Sequence, residues 1–358
     1  MPPQHLHRPF YTPEMLRNIE ESLLAAKSVR LLRLLDIGGR AKLIQFPCPT
    51  VPSHLAQGNT EQRATVTFYD ETQFLLGPVF VPSSRFISLS AEYRQFRLPN
   101  QSEKRTRARL HDAVGLFKES SEAHEIKTFI RNAGAMRVRM NRVVAFGLGC
   151  ISFVHPEAAE YDAVGRCLAS LYQHAAAIVV AQAVSTTTPV PILVQDPAYT
   201  DVCKRVLRSF SLEVIDGFGA KGFSMINNRT IVLGHRPDFP LRSLIADLAR
   251  PALICMKAER PSGVEELNVD LGKDPDTPRS RAMLKGYRKV TLPLQEKSVF
   301  WDNVWFVKKD GSFYTRFLEL QEKKKAINKY KEGQKDSREN KSSSSDPSSD
   351  KIVIEISD

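Results

Sequence analysis

Residues 142–152 read RVVAFGLGCIS, and the fold turns on this run. Val143, Val144, Ala145 and Phe146 form a short apolar stretch with the character of a buried strand. Gly147-Leu148-Gly149 follows at once. A strand that ends in Gly-x-Gly opens onto a ligand in nucleotide and methyl-donor folds, because glycine lets the main chain approach and aims amide groups at it. The same two glycines also serve a plain turn, by permitting a positive φ and close helix packing. Both accounts fit the run.

Working downstream, Pro156 is expected to start a long helix reaching about Val184, with Val164, Leu168, Leu171, Ala175 and Ile178 as its apolar stripe. PILVQDP (191–197) reads as the next strand, stopped by Asp196-Pro197. Thr200 or Asp201 then caps a helix carrying Val202, Val206, Leu207 and Phe210. LEVIDG (212–217), RTIVLGH (229–235) and PALICM (251–256) supply three more strands, and Pro240 opens a short helix before the last. These strands are nearly continuous apolar runs, the pattern of parallel strands covered on both faces. Strands alternating with helices at this spacing predict an α/β fold: a doubly wound, mostly parallel Rossmann-like sheet.

Upstream, Thr12, Pro13 and Glu14 mark a first helix that Gly38-Gly39 must end at the latest. Residues 41–46, 63–69 and 78–81 read as strands. LPNQSEKRTRARL (98–110) reads as a polar, basic loop in which Lys104, Arg105, Arg107 and Arg109 form either a solvated surface or an anion-facing patch. Residues 124–136 read as a helix or an irregular lead-in. Residues 261–280, rich in Pro, Asp and Gly, read as a long loop, and a closing strand is expected from Val304 to Val307. From about Gln321 apolar content collapses, so the tail is expected to be disordered. The expected organisation is an N-terminal helix and strand region (1–120), an α/β domain (121–257), a loop and closing aromatic strand (258–320) and a disordered tail (321–358).

The chain of 358 residues has a formal net charge of +11, from 51 Lys and Arg against 40 Asp and Glu. That balance suits acidic partners and aids solubility, and it does not bear on fold. The five cysteines, at positions 48, 150, 167, 203 and 255, show no C-x-x-C spacing, so neither a zinc site nor a disulfide framework is implied. A reducing compartment fits best. No apolar run reaches the ~18 residues of a membrane span, and the N-terminus lacks the pattern of a secretory signal. The expectation is a soluble protein of cytosol or nucleus.

The order VVAFGLGCIS, YDAVGRCLASLYQHAAA, VPILVQDPAYT, LEVIDG and TIVLGHRPDFPLRSLIADLARPALICM resembles the SRR-like domain, named for "sensitivity to red light reduced". The resemblance spans about residues 142–256, and SVFWDNVWFV resembles the family's closing aromatic strand. It implies a regulatory role, such as light signalling and circadian control in plants, with no accepted catalytic mechanism. The family pattern falls on Gly147, Leu148, Gly149, Asp196, Pro197 and His235. One departure stands out: where family members commonly place a His-Cys-Gly type turn, this chain has His235-Arg236-Pro237-Asp238.

The candidate ligand-binding residues are Gly147, Leu148, Gly149, Asp196, Tyr199, Asp216, His235 and Arg236. The dinucleotide fingerprint needs a third glycine where this chain has Ser152, and an acidic ribose partner much earlier than Asp196. A methyl-donor pocket asks for less, and Gly147, Gly149, Asp196 and Asp216 can line one. Asp196 either accepts hydrogen bonds from a ligand or caps its own turn. Tyr199 adds an aromatic wall. His235 can act as acid or base near neutral pH, and Arg236 can hold an anion. Asp238 is placed to cap the following helix. His174, within the long helix, reads as a packed or surface histidine. No Ser-His-Asp order, metal-ligand cluster or phosphate loop is visible. Three readings follow: a regulatory protein with protein partners; an enzyme using S-adenosylmethionine or a nucleotide; and nucleic-acid association through the basic surface.

Overall fold

The computed structural model describes residues 9, 11–25, 31–35, 41–45, 60–68, 87–95, 101–132, 140–152, 161–185, 188–217, 219–235, 237, 239–258, 274, 276–294 and 303–309. Arg236, Asp238, the expected strand at 78–81 and the tail lie outside them. The elements are α1 (Pro13–Ala25), β1 (Leu31–Leu35), β2 (Ala41–Gln45), β3 (Thr60–Phe68), β4 (Ile87–Gln95), α2 (Glu103–Glu119), α3 (Ser121–Asn132), β5 (Arg142–Phe146), α4 (Tyr161–Val184), β6 (Ile192–Gln195), α5 (Asp201–Ser209), β7 (Leu212–Val214), α6 (Lys221–Ser224), β8 (Thr230–Gly234), α7 (Leu241–Leu248), β9 (Leu253–Lys257), α8 (Pro278–Leu284), β10 (Tyr287–Val290) and β11 (Asn303–Lys308).

The fold is mixed α/β. A seven-stranded sheet runs β10-β11-β9-β8-β5-β6-β7. The five strands from β9 to β7 are parallel; β11 joins β9 antiparallel, and β10 joins β11 antiparallel. β1 with β2, and β3 with β4, are separate antiparallel pairs and do not extend this sheet.

Side chains of the strands alternate between two cores, as the period of an extended chain requires. Val143, Ala145, Ile192, Val194, Leu233 and Trp305 enter one core, with α2, α3, α4 and α5 over them. Val144, Phe146, Leu193, Val232, Ile254 and Phe306 enter the other, which Leu16, Phe223, Leu244 and Met283 complete from α1, α6, α7 and α8. Burial on both faces is the physical reason that the central residues of these strands are apolar in nearly continuous runs.

Several sequence expectations need correction. Residues 98–110 do not form a basic loop throughout: α2 begins at Glu103, with the Ser102 side chain accepting from the Arg105 N–H at 3.3 Å. Thr106, Leu110, Ala113, Val114 and Phe117 are its buried stripe. The basic residues Lys104, Arg105, Arg107 and Arg109 occupy the rest of its surface, and their density hid the helical period. Of the two alternatives for 124–136, the helix holds as far as Asn132, and it begins earlier, at Ser121. α1 ends at Ala25, and Leu31–Leu35 form β1, a strand within the stretch allowed to the first helix. Leu168 is 45% exposed and leaves the α4 stripe, while Leu171, Ala175 and Ile178 are buried. Within the expected loop at 261–280, α8 starts at Pro278, held by a capping box of Thr277 and Ser280. β4 and the short α6 had no counterpart in the sequence reading.

Candidate functional site

The parallel strands carry their carboxyl ends to one rim. Register places Phe146 of β5 beside Gly234 of β8 and Gln195 of β6. Gly147 therefore emerges between His235 and Asp196. Its φ is +69°, and a Cβ there would sit 3.3 Å from the His235 carbonyl oxygen. Gly149 has φ +79°, and a Cβ there would come within 2.2 Å of Ser170 Oγ on α4. Both glycines are thus required by backbone conformation and by close approach. Leu148 between them is buried.

Asp196 closes the turn. Its Oδ2 accepts the Gly149 N–H at 2.7 Å, and its Oδ1 accepts the Ala198 N–H at 2.7 Å. The first bond ties the end of β6 to the turn after β5. The second is the local capping bond expected of Asp ahead of a turn.

Behind this turn lies a sealed polar pair. Tyr199 is buried and its hydroxyl lies 2.8 Å from His174 Nε2. His174 Nδ1 lies 2.6 Å from the Ser170 carbonyl. A carbonyl only accepts, so Nδ1 carries the proton; Nε2 then accepts from Tyr199 in the neutral ring. Burial lowers the pKa of His174 to about 4 despite the Ser170 bond. Burial, with the Asp196 charge beside it, pushes the Tyr199 hydroxyl up. The pair is neutral and holds α4 against the β6 end.

A sulfur and hydroxyl cluster adjoins it. Cys150 Sγ and Cys203 Sγ are 3.2 Å apart. Ser152 Oγ lies 3.4 Å from Cys150 Sγ, 3.2 Å from Cys203 Sγ and 2.8 Å from Thr200 Oγ1. Thr200 caps α5, accepting the Cys203 N–H at 3.2 Å. The contact with Cys150 lowers the Cys203 thiol; burial opposes this, and the Ser152 and Thr200 hydroxyls reinforce it. The same contact, with burial, raises Cys150.

Asp216 follows β7 and faces α5. Its carboxylate meets Lys204 Nζ and Arg208 at 2.8 Å each. Partial burial pushes its pKa up, but Lys204 and Arg208 together outweigh that and hold it below the usual carboxylate range.

The structure therefore brings Gly147, Leu148, Gly149, Asp196 and His235 to one rim, packs Tyr199 beneath it and ties Asp216 to α5; Arg236 is not among the described residues. Sequence reasoning missed three features. His174 joins Tyr199, a pairing that nothing in their spacing reveals. Cys150 and Cys203 meet across 53 positions, so no short motif marks them. Gly217, Gly219 and Gly222 form a G-x-G-x-x-G run after β7 that was legible but passed over. Three of its main-chain N–H groups are taken by side chains of the chain itself: Glu20 Oε1, from α1, accepts from Ala220 at 2.6 Å and Lys221 at 2.9 Å, and Gln195 Oε1 accepts from Gly222 at 2.8 Å. Among the described residues no cluster of His, Cys, Asp or Glu has the form of a metal site, and no helix is long and apolar enough to cross a membrane.

No curated protein matches the chain significantly. The family model of the SRR1 domain matches residues 122–256, the span that runs from α3 into β9 and contains the Gly147–Gly149 turn, Asp196, Tyr199 and His235; this chain carries an SRR1 domain.

Proposed function

We propose that this chain is a regulatory or interaction protein whose SRR1 domain uses a doubly wound, Rossmann-like sheet as its scaffold. The strand order β9-β8-β5-β6-β7, which reverses direction at β5, supports that scaffold, as do helices over both faces. The regulatory reading rests on the Asp196 clamp. Asp196 and the Gly149 amide, the groups a ribose or phosphate would use, are bonded to each other at 2.7 Å. Spent in this way they fix the shape of the rim, which suits recognition by another protein. Buried thiols at Cys150, Cys203 and Cys255 favour a reducing compartment, cytosol or nucleus, which imaging of the tagged full chain tests.

A second reading has its own support. Open α/β sheets bind ligands outside the strand ends where the order reverses, and here that point lies between β5 and β8, with Gly147 against His235. On this reading the rim holds S-adenosylmethionine or a nucleotide, and the chain is an enzyme. Calorimetric and thermal-shift titrations with S-adenosylmethionine, NAD(P) and nucleoside phosphates separate the two. The regulatory reading expects no saturable binding, and a partner crosslinked to the full chain in cells that is lost with Asp196→Ala. Saturable binding abolished by His235→Ala would overturn it in favour of the enzyme. Nucleic-acid association through the basic surface of α2 predicts affinity that falls steeply with salt in DNA and RNA titrations.

A further inference from the structure

We propose that Cys150 and Cys203 form a redox-responsive pair, converted by a hydroperoxide into a disulfide at the foot of the Gly147–Gly149 turn. The two residues sit on different elements, Cys150 in the loop after β5 and Cys203 in the first turn of α5. Their sulfurs are 3.2 Å apart. A disulfide bond is about 2.05 Å long, so the sulfurs need to close by only about 1 Å. Cys255 lies apart from them in β9, where Asn303 Nδ2 donates to its sulfur at 3.7 Å.

The surroundings assign an order of attack. Cys203 stands at a helix N-terminus, where partial positive charge favours a thiolate. Thr200 Oγ1 donates to its sulfur at 3.3 Å, and Ser152 Oγ lies 3.2 Å away. The contact with Cys203 and, after it, burial push the Cys150 thiol up. Cys203 is therefore the attacking sulfur. Its electron pair attacks one peroxide oxygen and the O–O bond breaks. This leaves Cys203 as a sulfenic acid, and the departing oxyanion takes up a proton. Cys150 sulfur then attacks the Cys203 sulfur, the S–O bond breaks, and the leaving hydroxide takes the Cys150 proton. With hydrogen peroxide the sum is two thiols and one peroxide to one disulfide and two waters. The two thiols lose the two electrons that the peroxide gains.

The bond would act where Asp196 already acts. Cys150 is next to Gly149, so linking it to α5 fixes the turn that the Asp196 clamp shapes. The inference does not depend on whether the rim binds a protein or a small molecule, and the experiment below has no ligand in it.

The full chain is treated in its native state with graded hydrogen peroxide, alkylated and mapped by mass spectrometry without reduction. The expected product is a single linkage between the Cys150 and Cys203 peptides, reversed by dithiothreitol. It should bring a melting temperature several degrees higher, because the bond constrains the unfolded chain. In Cys150→Ser the linkage is lost and dimedone traps a sulfenic acid on Cys203. In Cys203→Ser the linkage is lost and Cys150 reacts at least tenfold more slowly. The proposal is overturned if both thiols stay reduced while Cys255 or another cysteine oxidises, or if the linkage forms only after urea. The assigned order is overturned if dimedone traps Cys150 in Cys203→Ser as fast as it traps Cys203 in Cys150→Ser. Far-ultraviolet circular dichroism monitors folding of both variants, and the wild-type mapping stands without them.

Discussion

His174 shows what one buried ring contributes. Its pKa falls from an ordinary 6.5 to about 4 because burial penalises the imidazolium. The unfolded chain binds that proton more tightly than the folded one. The stability it supports is therefore present above pH 6.5 and is lost as pH falls toward 4. At about 1.4 kcal/mol per pKa unit, the expected loss between pH 7 and pH 5 is about 2 kcal/mol. Urea unfolding across that range should show it, and His174→Gln should be less stable at pH 7 but with a shallower acid dependence. Equal slopes for the two proteins would show that the ring titrates normally. Gly149 makes the complementary case for shape. Gly149→Ala imposes φ +79° on alanine and drives its Cβ into Ser170 Oγ, so a loss of about 1–3 kcal/mol is expected. Adding Ser170→Ala removes the clashing oxygen but not the backbone strain, so the double variant should recover part of the loss in the same unfolding assay.

Among elements, α1 depends on one carboxylate. Glu20 is 3% exposed and satisfies the Ala220 and Lys221 N–H groups at the start of α6. The buried Ala220 donor without an acceptor would cost about 1–3 kcal/mol and the part-buried Lys221 donor less, so Glu20→Ala should destabilise by about 2–3 kcal/mol. Hydrogen exchange should show faster exchange at Ala220 and Lys221, with β5 and β8 unchanged. A uniform rise across the sheet would mean that α1 is not a local clamp. Elements of this kind also show what was legible in the sequence. β5, β6, β8 and β9 announce themselves because burial on both faces demands apolar residues along nearly their whole length. α5 does so through its Thr200 cap. α2 did not, because only one stripe of it is buried and the rest is charged. The Gly147–Gly149 turn was legible, and so was Asp196 as its neighbour in the order of strands. That Asp196 bonds Gly149 was not, since it depends on the pairing of β5 with β6; that His174 meets Tyr199 and that Cys150 meets Cys203 were not, since those contacts depend on how α4 and α5 pack over the sheet.

The molecule as a whole is a sheet that continues past the family match. The SRR1 match ends at residue 256, inside β9, yet β11 pairs with β9 along its length and β10 follows. Trp305 of β11 is 2% exposed and packs against Phe129 of α3, with ring centroids 5.3 Å apart. Phe306 next to it enters the opposite core with Ile254 and Met256. β11 thus contributes large side chains to both cores at once. Without it β9 would become an exposed apolar edge, a template for aggregation. Removing an indole of this size from a packed core costs about 3–5 kcal/mol. Trp305→Ala in the full chain should lower stability by that amount in guanidinium unfolding monitored by circular dichroism. A chain ending at Ala258 should lose both aromatic contributions together and precipitate, or unfold without a cooperative transition. If that shortened chain instead melts cooperatively near the full-length temperature, the SRR1 match would be a self-sufficient unit and the antiparallel strands an accessory. The shared burial of Trp305 and Phe306 on opposite faces argues that they complete the sheet on which the rim is carried.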